Sequence, residues 1–251
     1  YVLHLPKFIK HHADGTLVGR SEFGIFYGSI AVATTASSKV CTDMMSADDF
    51  EVRGWSSDEA VVFRRTREAW GGLSNMAAGF PIELNGSIWS TSEALYQAFR
   101  FPGKPEVQQM IRLERSPMAA KMKSKPFRRE FSRADWNVVR IEVMWWCLQA
   151  KYVANSVSFG SLLEKTGNAE IVEDSPRDQF WGAVRFGDDR LEGRNILGRL
   201  LMKLRREIKL GDSLWSEDEL IVPSPRFSPS RILDDDLKTV KVRSPGPTTL
   251  F

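Results

Sequence analysis

The sequence predicts an α+β fold that is predominantly helical, with a small antiparallel hairpin and one long core helix. The dipeptide Asn85-Gly86 stands between two short apolar runs, and because both residues tolerate positive φ it indicates a tight turn between antiparallel strands. Residues 134–154 carry apolar side chains at i, i+3 and i+4 spacing, which is typical of a helix with one face in the core. The 251 residues are 42% hydrophobic, enough to bury a substantial core without disulfides.

The first 59 residues mix short β-rich runs, such as 23–32, with Gly and Ser breaks. Because residues 27–40 are too apolar to stay solvated, we expect residues 1–59 to form an extension packed on the following domain. The run AVVFRR at 60–65 predicts a strand that ends in Arg64 and Arg65, with their side chains on opposite faces. Either both arginines are solvated, or one of them, assigned here as Arg65, binds a phosphate.

A polar segment precedes the hairpin, and a helix start follows it. Ser90-Thr91-Ser92-Glu93 fits a capping box, in which the Ser90 side chain accepts from the Glu93 amide and Glu93 reaches back to the Ser90 amide. The helix is predicted to run to about residue 101, where Pro102-Gly103 ends it. From the residues alone, a capping role and a catalytic role for Glu93 are equally supported. The candidate ligand contacts near this junction are Trp70, Ser74, Asn75, Trp89 and Gln97.

The segment after the first helices is the most basic of the chain. Residues 105–115 predict a helix, and Ser116-Pro117 starts another, with Ser116 as its N-cap. The basic residues that follow are Lys121, Lys123, Lys125, Arg128, Arg129 and Arg133, interleaved with Phe127, Phe131 and Trp136. Such a pattern fits a nucleic-acid backbone with bases stacked on the aromatic rings. A solvated cationic surface is the interpretation that the sequence favours.

The long helix contains a lysine on an apolar strip. Its predicted core stripe consists of Val138, Ile141, Trp145, Leu148 and Tyr152, and beside it run Met144, Cys147 and Lys151. A lysine in apolar surroundings is partly desolvated, which lowers its pKa and frees the amine as a nucleophile. The alternative is a lysine that keeps its ammonium in water above an apolar stem.

The last predicted helix begins at Asn195, an N-cap residue. Its free first-turn amides offer a phosphate site, although GRNILG is not a P-loop, because no Lys-Ser/Thr pair follows its second glycine. The Pro/Ser-rich residues 211–251 predict an irregular C-terminal tail.

Composition excludes several classes of chemistry. All three histidines (His4, His11 and His12) lie at the N-terminus, so histidine-based triads and zinc sites are not expected in the central region, where carboxylate or lysine chemistry remains. Two cysteines give no disulfide framework, and no apolar run is long enough for a bilayer span, which favours an intracellular setting without membrane contact. The net charge of +3 permits a phosphate-bearing ligand without indicating nucleic-acid binding.

Several motifs in order resemble the NADAR (YbiA-like) superfamily. They are SNMA at 74–77, WSTSE at 89–93, YQAFRF at 96–101, SPMAA at 116–120, AKY at 150–152, FWG at 180–182 and NILGRLLM at 195–202. The resemblance covers about residues 61–209, so a YbiA-like fold is expected for a domain at 60–210. It implies an N-glycosidase whose substrate carries a ribose linked to nitrogen.

The resemblance also implies roles for residues. It assigns catalysis to Glu93 and, for a Schiff base with the ring-opened sugar, the amine of Lys151. Substrate contacts are expected from Trp181, Gly182 and Asn195, in addition to the candidates above. No cofactor is expected, and the implied partner is an ADP-ribose-containing small molecule or an ADP-ribosylated nucleic acid. Two activities are associated with the family: removal of ADP-ribose from modified guanine bases, and hydrolysis of phosphoribosylamino intermediates of riboflavin synthesis.

Two departures from the family pattern rank these activities. Ala183 stands where many relatives have aspartate, and Phe99-Arg100-Phe101 stands where they often have Gln-Lys-Phe. These changes favour base de-ADP-ribosylation over the riboflavin role. They also leave open a module that binds ADP-ribose without turnover.

Overall fold

The computed structural model describes residues 50–211 continuously, together with residues 10–11, 17–21, 24–28, 226–228, 231–233, 235–237 and 242–243. Contacts divide the chain into two units, Tyr1–Met44 and Met45–Phe251. In the first unit, strands β1 (Lys10–His11), β2 (Leu17–Ser21) and β3 (Gly24–Gly28) form an antiparallel sheet in that order. The packing of residues 1–59 on the domain stays a prediction.

The described second unit contains seven α-helices. They are α1 (Ser92–Ala98), α2 (Pro105–Arg112), α3 (Pro117–Ser124), α4 (Arg128–Phe131), α5 (Trp136–Ala154), α6 (Ser156–Lys165) and α7 (Ile196–Lys209). Helix α5 packs against α1, α6 and α7, and this confirms the predicted long core helix. None of the described helices combines the length and the hydropathy needed to cross a bilayer.

The strands of the second unit form small sheets around the helices. They are β4 (Arg53–Ser56), β5 (Val61–Phe63), β6 (Ile82–Leu84), β7 (Ser87–Trp89), β8 (Ile171–Glu173), β9 (Val184–Phe186), β10 (Arg190–Gly193), β11 (Arg231–Ile232), β12 (Asp235–Asp236) and β13 (Val242–Arg243). The sheets have the orders β4-β10-β9, β13-β6-β7 and β11-β12, and β5 pairs with β8 in parallel. The predicted α+β class with a small antiparallel sheet is confirmed.

The hairpin of β6 and β7 forms where the sequence predicts it. Asn85 and Gly86 have φ of 48° and 76°, which only a few residue types adopt without strain. The strands pair antiparallel, with Leu84 opposite Ser87. The hairpin therefore delivers the chain directly to the start of α1.

Helix α5 buries Leu148 and Tyr152 of the predicted stripe but not Val138, and it buries the neighbouring strip as well. Val138 is 80% exposed, whereas Met144, Cys147 and Lys151 are fully buried together with Leu148. The cause is enclosure of the C-terminal half of α5 by three helices, so that more than one stripe is covered. Periodicity identified the helix, but the face that becomes core depends on which helices surround it.

The described parts of residues 211–251 are more ordered than the predicted irregular tail. Phe227, Ile232 and Leu237 are buried in the main core, and β13 pairs with β6. The Gln108 side chain joins this segment to the helices, since its amide nitrogen donates to the Arg231 carbonyl at 3.0 Å and its oxygen accepts from the Leu233 amide at 2.7 Å.

Candidate active site around Glu93

The side chain of Glu93 does not cap helix α1. Thr91 is the N-cap, and its hydroxyl accepts from the Ala94 amide at 3.2 Å. The Glu93 amide donates instead to the Asn75 carbonyl at 2.9 Å. The predicted capping box of Ser90 and Glu93 is therefore wrong, because a carbonyl from the preceding loop replaces the local acceptor.

Two amides hold the Glu93 carboxyl group. The Asn75 side chain donates to Oε2 at 2.5 Å, and the Gln97 side chain donates to Oε1 at 2.8 Å. Glu93, Asn75 and Gln97 are all buried, with exposed fractions of 3%, 9% and 3%. Because each carboxyl oxygen has its own donor, the orientation of the group is fixed.

Burial raises the pKa of Glu93 above its ordinary value. The charge of Lys121, the hydrogen bond from Gln97 and the charges of Arg128 and Arg100 lower the pKa but do not cancel the effect of burial. A helix N-terminus by itself favours the charged carboxylate, and here desolvation outweighs that influence. A carboxyl that keeps its proton to higher pH is suited to proton transfer.

The basic segment divides between the site and the scaffold. The Arg128 guanidinium donates to Gln97 Oε1 at 3.3 Å, and the charge of Lys121 acts on Glu93. Arg133, by contrast, forms an ion pair with Asp135 at 2.6 Å, in which the arginine side chain is buried and that of Asp135 is 45% exposed. Lys121 and Arg128 are not predicted as site residues from the sequence, because their distance from Glu93 in the chain gives no local signal.

Lys151 is fully buried and bound to the loop that carries Asn75. Its amine donates to the carbonyls of Gly72 at 2.7 Å and Ser74 at 3.0 Å, and lies 4.2 Å from the centroid of the Phe159 ring. Burial lowers the pKa of Lys151 to about 7. The alternative of an ammonium kept in water is therefore excluded, and the hydrogen bonds of this amine go to the loop rather than to Glu93.

An aromatic cluster lies next to Glu93 on α1. The ring of Tyr96 is 5.0 Å from that of Trp136 and 5.6 Å from that of Trp181, between centroids. Trp181 is half-buried, whereas Trp89 is fully enclosed in the core. Trp181 thus retains an accessible surface, whereas Trp89, predicted as a ligand contact, is a core aromatic residue. Trp70 is half-buried against the main core.

A second carboxyl group, Glu173, was not predicted for the site. It ends β8, and burial together with the charges of Asp178 and Glu93 raises its pKa to about 7. Gly182 packs directly against it, since a Cβ atom at this position would lie 2.6 Å from the Glu173 carbonyl oxygen. The close approach explains why the FWG segment needs glycine at this point.

Arg65 does not lie on a strand. It follows the end of β5 and is exposed together with Arg64, so neither arginine lies on a strand face as predicted.

The Asn195 side chain serves the scaffold. It donates to the Ile171 carbonyl at 2.8 Å and accepts from the Glu173 amide at 3.0 Å. It makes no cap hydrogen bond to α7. The amides of residues 195, 196 and 197 donate to the carbonyls of residues 182, 180 and 181, so these predicted phosphate donors are already occupied.

Comparisons with known proteins agree on one family. The model of the NADAR domain matches residues 62–209. The chain is 33% identical over 156 residues to the N-glycosidase YbiA of Escherichia coli (strain K12), covering 61% of this chain and 91% of the relative. The NMR structure of E. coli YbiA aligns with a TM-score of 0.52 at 32% identity, covering 63% of this chain and 90% of that one.

Two longer relatives carry names from riboflavin metabolism. A riboflavin biosynthesis protein of Vibrio vulnificus is 32% identical over 162 residues, which cover 64% of this chain and 41% of the relative. A chloroplastic riboflavin biosynthesis protein of Zea mays is 36% identical over 162 residues, which cover 59% of this chain and 25% of the relative.

Proposed function

The chain belongs to the NADAR domain family, and from this premise we propose that it is an N-glycosidase that releases ADP-ribose from ADP-ribosylated guanine bases. The E. coli relative is named as an N-glycosidase. The observation that carries the proposal is the buried carboxyl group of Glu93, oriented by Asn75 and Gln97 and surrounded by cationic side chains. The proposed partners are ADP-ribosylated nucleosides or nucleic acids.

Glu93 has the chemistry for opening a ribose ring. Its raised pKa allows it to give a proton to the ring oxygen as the furanose opens and to take one back later. A lysine amine then adds to C1 of the opened sugar, and the bond from C1 to the nitrogen of the base breaks, so that the base leaves with that nitrogen. Water hydrolyses the Schiff base that remains between the lysine and the sugar. Trp181 offers a face for stacking of the base or ribose.

Two lysines are candidates for that amine. Lys151 has the lowered pKa that a nucleophile requires, but its amine is bonded to the Gly72 and Ser74 carbonyls. Lys121 is the cation with the largest influence on Glu93. We retain Lys151 as the proposed nucleophile, with release from the loop as a necessary step.

Borohydride trapping tests the lysine assignment. Wild-type protein incubated with substrate and borohydride is expected to gain a sugar adduct at Lys151, because reduction fixes the Schiff base. Lys151→Met should lose the adduct, and Lys121→Met should keep it, as read by mass spectrometry of the digested protein. An adduct that persists in Lys151→Met and disappears in Lys121→Met would transfer the role to Lys121.

The relatives named for riboflavin biosynthesis support a second candidate function. The chain would then hydrolyse the ribose–nitrogen bond of a phosphoribosylamino intermediate. The same Glu93 chemistry serves both substrates, since both carry a ribose linked to nitrogen. The departures at Ala183 and at Phe99-Arg100-Phe101 favour the guanine substrate.

A release assay with both substrates separates the candidates. Purified protein is incubated in parallel with ADP-ribosylated guanosine and with the phosphoribosylamino intermediate, and free base and sugar are measured by chromatography. We expect faster release from the guanosine adduct. Glu93→Gln should abolish release while binding of ADP-ribose stays measurable, and the exposed Glu106→Gln should act like wild type. Faster cleavage of the riboflavin-type substrate would reverse the ranking, and binding without any product would indicate a non-catalytic module.

A further inference from the structure

Three arginines from different parts of the chain surround the region of Glu93. They are Arg100, which follows α1, Arg128, which begins α4, and Arg140, which lies in α5. Arg128 contacts Gln97, the residue that holds Glu93. The Arg100 guanidinium lies 4.6 Å from the centroid of Trp136, whose ring contacts Tyr96. The Arg140 guanidinium lies 3.7 Å from the centroid of Phe180, beside Trp181.

These three arginines, the arginine cluster, have buried N–H groups without acceptors. The Nε atom of each is buried and has no hydrogen-bond partner. The side chains of Arg100 and Arg140 donate no hydrogen bond to any residue in the described part of the chain, and none of the three lies within 4 Å of a described carboxylate. Buried donors without acceptors cost free energy. The arginine cluster therefore lacks a group that accepts several hydrogen bonds.

The local charge indicates the sign of the missing group. Burial and the neighbouring charges of Arg128 and Arg140 lower the pKa of Arg100, which places the three cations close enough to repel one another. Lys121 adds a further positive charge near Glu93. The two carboxyl groups of the site, Glu93 and Glu173, both have raised pKa values. They therefore offset the positive charge of the arginine cluster only in part. An anion would relieve this repulsion.

We propose that the arginine cluster binds the phosphate attached to the ribose whose bond to nitrogen is cleaved. The planar guanidinium fork matches the geometry of phosphate oxygens, and the aromatic rings under Arg100 and Arg140 hold two forks in place. The two phosphate sites predicted from the sequence are less suited, since the Arg65 side chain is exposed and the first amides of α7 already have acceptors. The inference rests on the proposed function, and it adds the side chains that would hold the phosphate of the substrate.

Calorimetric titration with ribose 5-phosphate and with ADP-ribose tests the arginine cluster without requiring turnover. Wild-type protein is expected to bind both compounds, and Arg100→Gln and Arg140→Gln should each weaken binding by about tenfold or more, because charged hydrogen bonds to phosphate are lost. Arg129→Gln is the matched control, since it removes the same charge from an exposed position next to Arg128. This control should change the affinity less than about twofold.

Several results would overturn the assignment. They are the absence of binding to wild type, unchanged affinity in both cluster variants, and an equal loss in Arg129→Gln. If a glutamine variant fails to fold by circular dichroism, Arg100→Lys or Arg140→Lys replaces it, and a tenfold loss is still expected because the fork is gone while the charge remains.

Failure of this inference is distinguishable from failure of the proposed function. Arginine-dependent binding in a protein that releases no base would support the arginine cluster and refute the N-glycosidase proposal. Release of base with a KM that does not change in Arg100→Gln and Arg140→Gln would support the enzyme and refute the arginine cluster.

Discussion

Burial sets the protonation of the residues that carry the chemistry. The carboxyl groups of Glu93 and Glu173 keep their protons to higher pH, and the amine of Lys151 loses its proton at lower pH, because desolvation disfavours every charged form. The pKa values of Glu173 and Lys151 both lie at about 7, and a group whose pKa is close to the ambient pH can both give and take a proton.

Glu173 is expected to make stability depend on pH. Its folded-state pKa of about 7 lies above the ordinary 4.5, so the folded protein keeps a proton that the unfolded chain releases. The free energy of unfolding should therefore fall as pH rises from about 4.5 through 7, by on the order of 1–3 kcal/mol. Urea unfolding at pH 5 and pH 7.5 measures the fall, which Glu173→Gln should reduce. The exposed Glu164→Gln serves as control; equal pH dependence in wild type and Glu173→Gln would contradict the assignment.

The start of α1 couples a loop to a helix. Asn75 accepts from the Glu93 amide and the Ser92 hydroxyl through its carbonyl, while its side chain donates to the Glu93 carboxyl. Lys151 of α5 donates a hydrogen bond to the Ser74 carbonyl in the same loop. The position of the carboxyl therefore depends on the hairpin, the loop and two helices together.

The position of the N-cap is testable by paired substitutions. Thr91→Ala should lower the free energy of unfolding by about 1 kcal/mol, because the Ala94 amide loses its acceptor. Ser90→Ala should change it by less than about 0.5 kcal/mol, since Ser90 precedes the cap. Urea unfolding at pH 7 measures both variants. If Ser90→Ala lowered the free energy of unfolding more than Thr91→Ala, the predicted capping box at Ser90 would be supported instead.

At the scale of the whole molecule, the C-terminal segment completes the core of the second unit. The Phe227 ring lies 5.2 Å from that of Phe99, between centroids, and Ile232 and Leu237 are buried in the same cluster. Arg133 donates to the Ser228 carbonyl at 2.7 Å. Residues beyond the family match, which ends at residue 209, thus support the helices that carry the site.

Truncation after residue 211 is expected to destabilise the protein strongly. Each of the three buried side chains contributes roughly 1.5–3 kcal/mol when removed from water, and Gln108 loses its partners in the segment. Thermal unfolding of residues 1–211 should show a clearly lower Tm than that of the full chain. A chain ending at residue 243 retains all of these contacts and should unfold like the full chain. Equal Tm values for all three proteins would show that the segment adds no stability.

Local signals in the sequence determined much of this protein. Asn85-Gly86 specified the hairpin because positive φ is a property of single residues, and the Ser116 cap formed as predicted because its acceptor and donor are three residues apart. The ordered motifs identified the family. The periodicity of residues 134–154 specified a helix, since an apolar repeat reflects burial along one chain segment.

Only the tertiary structure decided where the chemistry is placed. The acceptor for the Glu93 amide is 18 residues away in the loop, so the sequence placed the cap one residue early. The exposure of Val138, the occupied amides at Asn195 and the convergence of Arg100, Arg128 and Arg140 all depend on which elements pack together. The physical reason is that burial and charge proximity are properties of the packed chain, and no short stretch of sequence contains them.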